Sequence, residues 1–305
     1  MGKNDNQLLL RHFLETKDYE GCQFLDFDVA LENVHDGNPD CFALYHLDNL
    51  YSNIFKKITP VNEERSLFRF TSLVANGERW ECDNCYAFND IKNGRLTFAA
   101  PSHFNDPMDP LIKAWAEWRR IHHGGRDDKR LYGLINETLS KIRICCLVDP
   151  LRYKVKKKSL NADVLQCSPL MWAHYADNHK GICIQYKVKP SNIVDDNKII
   201  VRLFDVDYDK PFPLDGDIPF VDSLRVKGDF WRYEKETRLI LYSRDKVGDY
   251  CSLGGYEIEA VYMGCRIEPD RRNYLKGLLK GTGIKLYQMS FSENSITQLL
   301  AHPIA

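Results

Sequence analysis

From Leu67 onward the chain is written in short apolar blocks of two periods. Leu67 to Ser72 (LFRFTS) alternates apolar and polar residues and predicts a strand. Leu96 to Ala99, Arg143 to Val148 (RICCLV), Gly181 to Tyr186, Ile199 to Tyr208, Arg238 to Tyr242, Ala260 to Met263 and Lys285 to Met289 predict further strands. Helical spacing appears at Cys85 to Lys92, which Asn93-Gly94 ends, and at Leu111 to Ile121 and Arg130 to Ile142. It returns in Phe220 to Asp229 and Arg271 to Leu279. Ser168-Pro169 predicts a helix start, a hydroxyl cap followed by proline, for a helix running to His179 before Lys180-Gly181. The order is mixed and lacks a strict βαβ rhythm, which predicts an α+β fold.

Residues 1–65 read differently. Gln7 to Thr16 sets Leu9, Leu10, Phe13 and Leu14 on one side of a helix. Leu44 to Ile58 does the same with Leu47, Leu50, Tyr51, Ile54 and Phe55, until Thr59-Pro60 breaks it. The expected organisation is a helical N-terminal extension over 1–65 and an α+β domain over 66–305.

Composition narrows the class. With 44% hydrophobic and 28% charged residues among 305, the chain is that of a globular protein. No apolar run approaches the ~18 residues of a membrane span. The start, MGKNDNQLLLRHFLE, lacks a signal-peptide core, so a cytoplasmic location is expected. The 42 basic residues balance 43 acidic ones, which argues against a protein that coats nucleic acid by charge alone. Ten cysteines fit a reducing compartment, and Cys145, Cys146 and Cys183 read as small buried hydrophobes. Cys82 and Cys85 are spaced like metal ligands but lack a second pair, so no metal is expected.

Three stretches combine polar side chains with special geometry. In PSHFNDPMDP (101–110), Asn105 and Asp106 follow a strand and precede proline. They read either as a turn satisfying its own backbone or as the lip of a cleft. In PLMWAHYADNHKG (169–181), helical spacing puts Met171, His174, Tyr175 and Asn178 on one face and Trp172, Tyr175 and His179 on the next. So many polar groups on one short helix need partners if buried. In WRYEKETRLILY (231–242), an extended backbone would turn Glu234, Glu236 and Arg238 to one face, away from Trp231 and Tyr233. Arg238 then either neutralises a glutamate at a sheet edge or holds one while the other meets substrate. A carboxylate can stabilise an oxocarbenium-like centre. The basic run Arg152 to Lys158 reads as a solvated loop. No P-loop, G-x-G-x-x-G, nucleophile elbow or H-E-x-x-H is present.

Taken in order, FRFTS (68–72), LTFAAPSHFNDP (96–107), MWAHYADNHKG (171–181) and WRYEKETR (231–238) resemble a bacterial family of unknown function, domain-of-unknown-function family 2971. The likeness spans Leu67 to Met289. Val148-Asp149 stands where that family usually has Ser-Glu. The motif order is in turn similar to ADP-ribosyltransferases of the split-sheet type, which implies mostly antiparallel split sheets with surrounding helices and NAD as substrate. By that resemblance Glu236 would stabilise the oxocarbenium and Glu234 would handle the nucleophile. Arg69, with Thr71 and Ser72 nearby, would lie near the NAD pyrophosphate or adenosine ribose. Tyr175 would stack on nicotinamide, with Asn105, Asp106 and Trp172 lining the site. His174 would orient substrate or Glu236, and Arg238 and Trp231 would support the cluster. Such a protein would be a toxin or phage-defence effector acting on a nucleic acid or protein, with a neutralising partner. The alternatives are a nuclease-like effector using His174, Glu234 and Glu236, and a binding module without catalysis.

Overall fold

The computed structural model describes residues 63–73, 85–122, 126–152, 168–192, 198–208, 220–245, 247–293 and 295–304, with two-residue strands at 34–35 and 38–39. The two helices expected in 1–65, the Cys82 position and all of the basic run after Arg152 lie outside the described residues.

The described strands are β1 (Arg65–Thr71), β2 (Arg95–Ala99), β3 (Ile142–Val148), β4 (Ile182–Val188) and β5 (Ile199–Asp205). They continue with β6 (Glu236–Ser243), β7 (Tyr250–Gly254), β8 (Glu257–Met263), β9 (Lys285–Ser292) and β10 (Ser295–Pro303). The helices are α1 (Tyr86–Asn93), α2 (Leu111–His122), α3 (Arg126–Ser140), α4 (Pro169–Tyr175), α5 (Phe220–Arg225) and α6 (Pro269–Leu279).

The fold is α+β, and all ten strands join one sheet. Every ladder in it is antiparallel except β8 with β9, which α6 connects. One half runs β10-β9-β8-β4-β1, and the other gathers β5, β6, β3, β2 and β7. Only Phe68↔Val148 ties β1 to β3, and only Ala99↔Ile144 ties β2 to β3. The sheet is therefore seamed beside β3, where full ladders give way to single bridges.

Alternation explains the two cores. On one face Leu67, Cys145, Ile184, Tyr186, Leu239 and Val261 pack with Phe88 and Ile91 of α1 and Leu275 and Leu279 of α6. On the other, Phe68, Phe70, Cys183, Ala260 and Tyr262 pack with Met171 and Trp172 of α4. Trp172 is fully buried, and Phe70 meets it edge-on at 5.2 Å between centroids. Trp172→Ala is expected to cost about 3–5 kcal/mol, the range for a buried aromatic, read as a fall in the denaturant midpoint.

Several boundaries depart from the periodicity. Helix α4 ends at Tyr175, four residues before His179, because Asp177, Asn178 and His179 all take positive φ. That left-handed turn folds back onto the helix, with the N–H groups of Asn178 and His179 donating to Ala173 O and Trp172 O. Gly181 follows where a Cβ would sit 2.3 Å from Thr71 O, so only glycine lets the chain pass the end of β1. Ser168 stands at the N-cap of α4, but its side chain makes no capping bond. Helix α3 starts at Arg126 and stops at Ser140, so Ile142 belongs to β3. Strands β7 and β10 carry patterns too short or too polar to have been read as strands. No helix among the described residues is long and apolar enough to cross a membrane.

A carboxylate cluster in the sheet seam

A cavity of about 420 Å³ lies in the seam. Its walls are β1 (Phe68, Arg69, Phe70), β3 (Ile144 to Val148), the segment holding His103, Phe104, Asn105 and Asp109, α4 (Met171, His174, Tyr175), and Lys227, Glu234 and Glu236.

Glu234 and Glu236 arrive by different routes. Residues Asp229–Glu234 form a 3-10 turn, Lys235 takes a left-handed φ of 49°, and β6 begins at Glu236. The extended reading therefore holds for Glu236 and Arg238, two apart on β6, and fails for Glu234, which the kink at Lys235 swings in. Lys227 follows α5 and is fixed by main-chain bonds: Asp207 N–H donates to Arg225 O and Lys227 N–H to Asp207 O, both at 3.0 Å.

The cluster has five charged side chains, all at least nine-tenths buried: Asp109, Lys227, Glu234, Glu236 and Arg238. Arg238 clamps Asp109 through Nη1–Oδ1 at 2.8 Å and Nη2–Oδ2 at 2.5 Å, and its Nε donates to Glu236 Oε1 at 2.7 Å. Lys227 Nζ donates to Glu234 Oε2 at 2.6 Å and Glu236 Oε2 at 3.2 Å, and stands 3.5 Å from Asp109 Oδ2. Tyr175 Oη donates to Glu234 Oε1 at 2.5 Å. The Glu236 N–H donates to Tyr208 Oη at 3.0 Å, and Arg152 donates to the Glu236 carbonyl. Trp231 lies under the Lys227 ammonium, 4.9 Å from ring centroid to Nζ.

These contacts separate the two glutamates. Burial alone would raise Glu236, but Arg238 and Lys227 outweigh it and hold its carboxyl well below the usual carboxylate range. Burial and the neighbouring Glu236 charge raise Glu234, against the pull of Lys227 and the Tyr175 bond. Burial and Glu234 together push the Tyr175 phenol up. The two carboxyls are thus pushed apart, the pattern of sites that divide acid and base roles between a pair.

This arrangement has a pH signature. A carboxyl depressed in the folded state stabilises it above the ordinary value and loses that contribution as pH falls through the folded one. Glu236 is therefore expected to make stability fall as pH drops below about 4.5. A raised carboxyl does the opposite, so Glu234 is expected to make stability decline as pH climbs from 4.5 towards its higher folded value. Across that range, melting curves of Glu234→Gln should lose the decline on rising pH, and those of Glu236→Gln should lose the acid limb and show a weaker decline as well, since the Glu236 charge helps raise Glu234.

The remaining candidates divide. His174 is exposed at the mouth, among Tyr175, Trp231 and Tyr233 at 6.2–6.5 Å. Arg69 lines the cavity and donates to Asp90 Oδ2 at 3.1 Å. Asn105 lines the cavity as well. Asp106 does not: its Oδ1 accepts the Met108 N–H at 2.8 Å, the turn reading. Trp172 does not either, since its zero exposure puts it behind the wall, where it holds α4 in place. Tyr175 offers a hydroxyl already bonded to Glu234 rather than a ring free to stack.

Asp109, Lys227 and Cys146 were not singled out for the site from sequence. Asp109 had a visible signal, the second Asp-Pro of FNDPMDP. Lys227 had none beyond lying four residues before Trp231. Cys146 was expected in the core; it is open to the cavity although protein surrounds it, because it lies on β3 where the neighbouring strands part. Its thiol is held protonated by burial and by Glu236.

Residues 171–239 match the model of a family described as protein of unknown function (DUF2971). That stretch carries His174, Tyr175, Lys227, Glu234, Glu236 and Arg238, whereas Arg69, Asp109 and Cys146 lie outside it. No curated protein and no solved structure matches the chain.

Proposed function

We propose that this DUF2971 protein is an ADP-ribosyltransferase-like effector of toxin or phage-defence type, working in the cytoplasm on NAD and a macromolecular acceptor. One observation carries the reading: Glu234 and Glu236 share one buried ammonium at a cavity wall, and their surroundings shift their carboxyls in opposite directions. Cleavage of an N-ribosyl bond passes through an oxocarbenium-like centre, which a fixed carboxylate stabilises. Glu236 is that anion. The bond from ribose C1′ to nicotinamide breaks, and the pair of electrons leaves with nicotinamide as a neutral base. The acceptor's oxygen or nitrogen bonds to C1′, and its proton passes to Glu234 in its ionised form, beside Tyr175. Arg69 binds the phosphate or ribose part of the substrate, and His174 at the mouth orients the acceptor. The acceptor is a nucleic acid or a protein, and a neutralising partner belongs with an effector of this kind.

Incubation with NAD labelled in nicotinamide, with and without EDTA, tests the reading. Nicotinamide release indifferent to EDTA is the expected result. Metal-dependent loss of RNA or DNA would transfer the site to the nuclease-like alternative, and silence in both assays would leave a ligand-binding module.

A further inference from the structure

Helix α4 ends in a strained turn. One left-handed residue, usually glycine, is enough to close a helix. Here Asp177, Asn178 and His179 take φ of 47°, 50° and 69° in succession, and none is glycine. Such runs are unfavourable for L-residues. They persist where the surroundings fix them, and they gather at functional sites. The surroundings do fix this one. Gly181 N–H donates to Ala176 O at 2.8 Å, and Arg266 N–H donates to His179 O at 3.0 Å. Gly264 presses on the turn, since a Cβ there would stand 2.1 Å from His179 O.

The turn puts Asp177 on the cavity wall, with Ser72 and Asn105. Its carboxylate differs from the others there. Asp109, Glu234 and Glu236 are held by Arg238 and Lys227, and Arg69 is bonded to Asp90. Asp177 has no side-chain partner among the described residues, which leaves it to a ligand's donors.

Strand register gives its distance from the cluster. Glu236, Val148 and Phe68 stand in one row across β6, β3 and β1. Thr71, whose carbonyl the turn abuts at Gly181, is three residues further along β1, about 10 Å at the rise of a strand. Arg69 lies between them on the same strand. The order along the cavity is therefore carboxylate pair, guanidinium, unpartnered carboxylate.

We infer that Asp177 accepts the 2′- and 3′-hydroxyls of the substrate's adenosine ribose and so makes the site select NAD over NADP. This rests on the proposed reading of NAD as substrate. With the nicotinamide ribose at Glu236 and the pyrophosphate at Arg69, the second ribose falls at the level of Asp177. A vicinal diol offers two O–H donors to one carboxylate, in charge-assisted bonds. A 2′-phosphate removes one donor and sets an anion against that carboxylate.

Calorimetry on the full chain with ADP-ribose and its 2′-phosphate, neither of which carries nicotinamide to release, tests it. The wild type should bind ADP-ribose at least about tenfold more tightly than the 2′-phosphate. Asparagine also tolerates the left-handed region, so Asp177→Asn should keep the turn. It should lose about tenfold in affinity for ADP-ribose, and the discrimination with it. Asp177→Gly should lose as much, yet melt no lower than the wild type, because glycine takes a φ of 47° without strain. With NAD, KM should rise in both variants while kcat holds. Equal binding of the two nucleotides by the wild type, binding of neither, or discrimination that survives Asp177→Asn would overturn the inference. Earlier melting of Asp177→Gly would make Asp177 a brace of the turn and overturn it too. NAD turnover with a KM indifferent to both substitutions would refute the subsite and leave the proposed activity standing. Discrimination lost in Asp177→Asn by a protein that releases no nicotinamide would do the reverse.

Discussion

Glu236→Gln is expected to leave the protein folded and to lower nicotinamide release by on the order of 10²–10³, the usual loss for a preorganised electrostatic contact. Removing a buried anion beside two cations is ordinarily destabilising. Here the cluster rebalances itself. Asp109 and Glu234 remain opposite Lys227 and Arg238, so two anions face two cations. The Glu236 charge is one of the causes that raise Glu234, and without it Glu234 ionises more readily. The amide still accepts from Arg238 Nε. Glu234→Gln should be milder for NAD hydrolysis and should block transfer to an acceptor, because it removes the base that takes the acceptor's proton. Nicotinamide release and acceptor labelling, measured side by side with melting, check both. Wild-type release from Glu236→Gln together with loss in Glu234→Gln would exchange the two roles.

Arg238→Ala should act on stability instead, costing about 3–5 kcal/mol, the range for breaking a buried ion pair. The guanidinium is wholly buried, spans Asp109 and Glu236, and donates to Leu224 O at 2.7 Å. Without it the Asp109 carboxylate keeps, among the described residues, only Lys227, 3.5 Å away, and Glu236 loses the largest influence holding its carboxyl down. Arg238→Lys should recover little, because an ammonium cannot replace a fork that serves two carboxylates at once. A drop in denaturant midpoint at unchanged slope is the expected signature. An unchanged midpoint for Arg238→Ala would mean that the cluster does not hold the seam together, and early melting of Glu236→Gln as well would make it a structural brace.

The sequence by itself determined the α+β class, most strands and the company that the site keeps. Alternation in LFRFTS and the continuous apolar run of RICCLV both follow from burial in a sheet, a local property of the pattern. The polar stretches at 101–110, 169–181 and 231–238 drew attention because their polar groups need partners, and each supplies cavity residues. The tertiary structure decided the rest. Glu234 reaches the cavity through the left-handed kink at Lys235, which no period announces. Asp109 rather than Asp106 is the buried aspartate, because Arg238, 129 residues away, selects it. Trp172 went to the core and Cys146 to the cavity, the reverse of the expectation, because β1, β2 and β3 part at a place fixed by pairing between distant strands. Burial pattern is written into each segment, but a gap in a sheet exists only once the strands on either side of it have met.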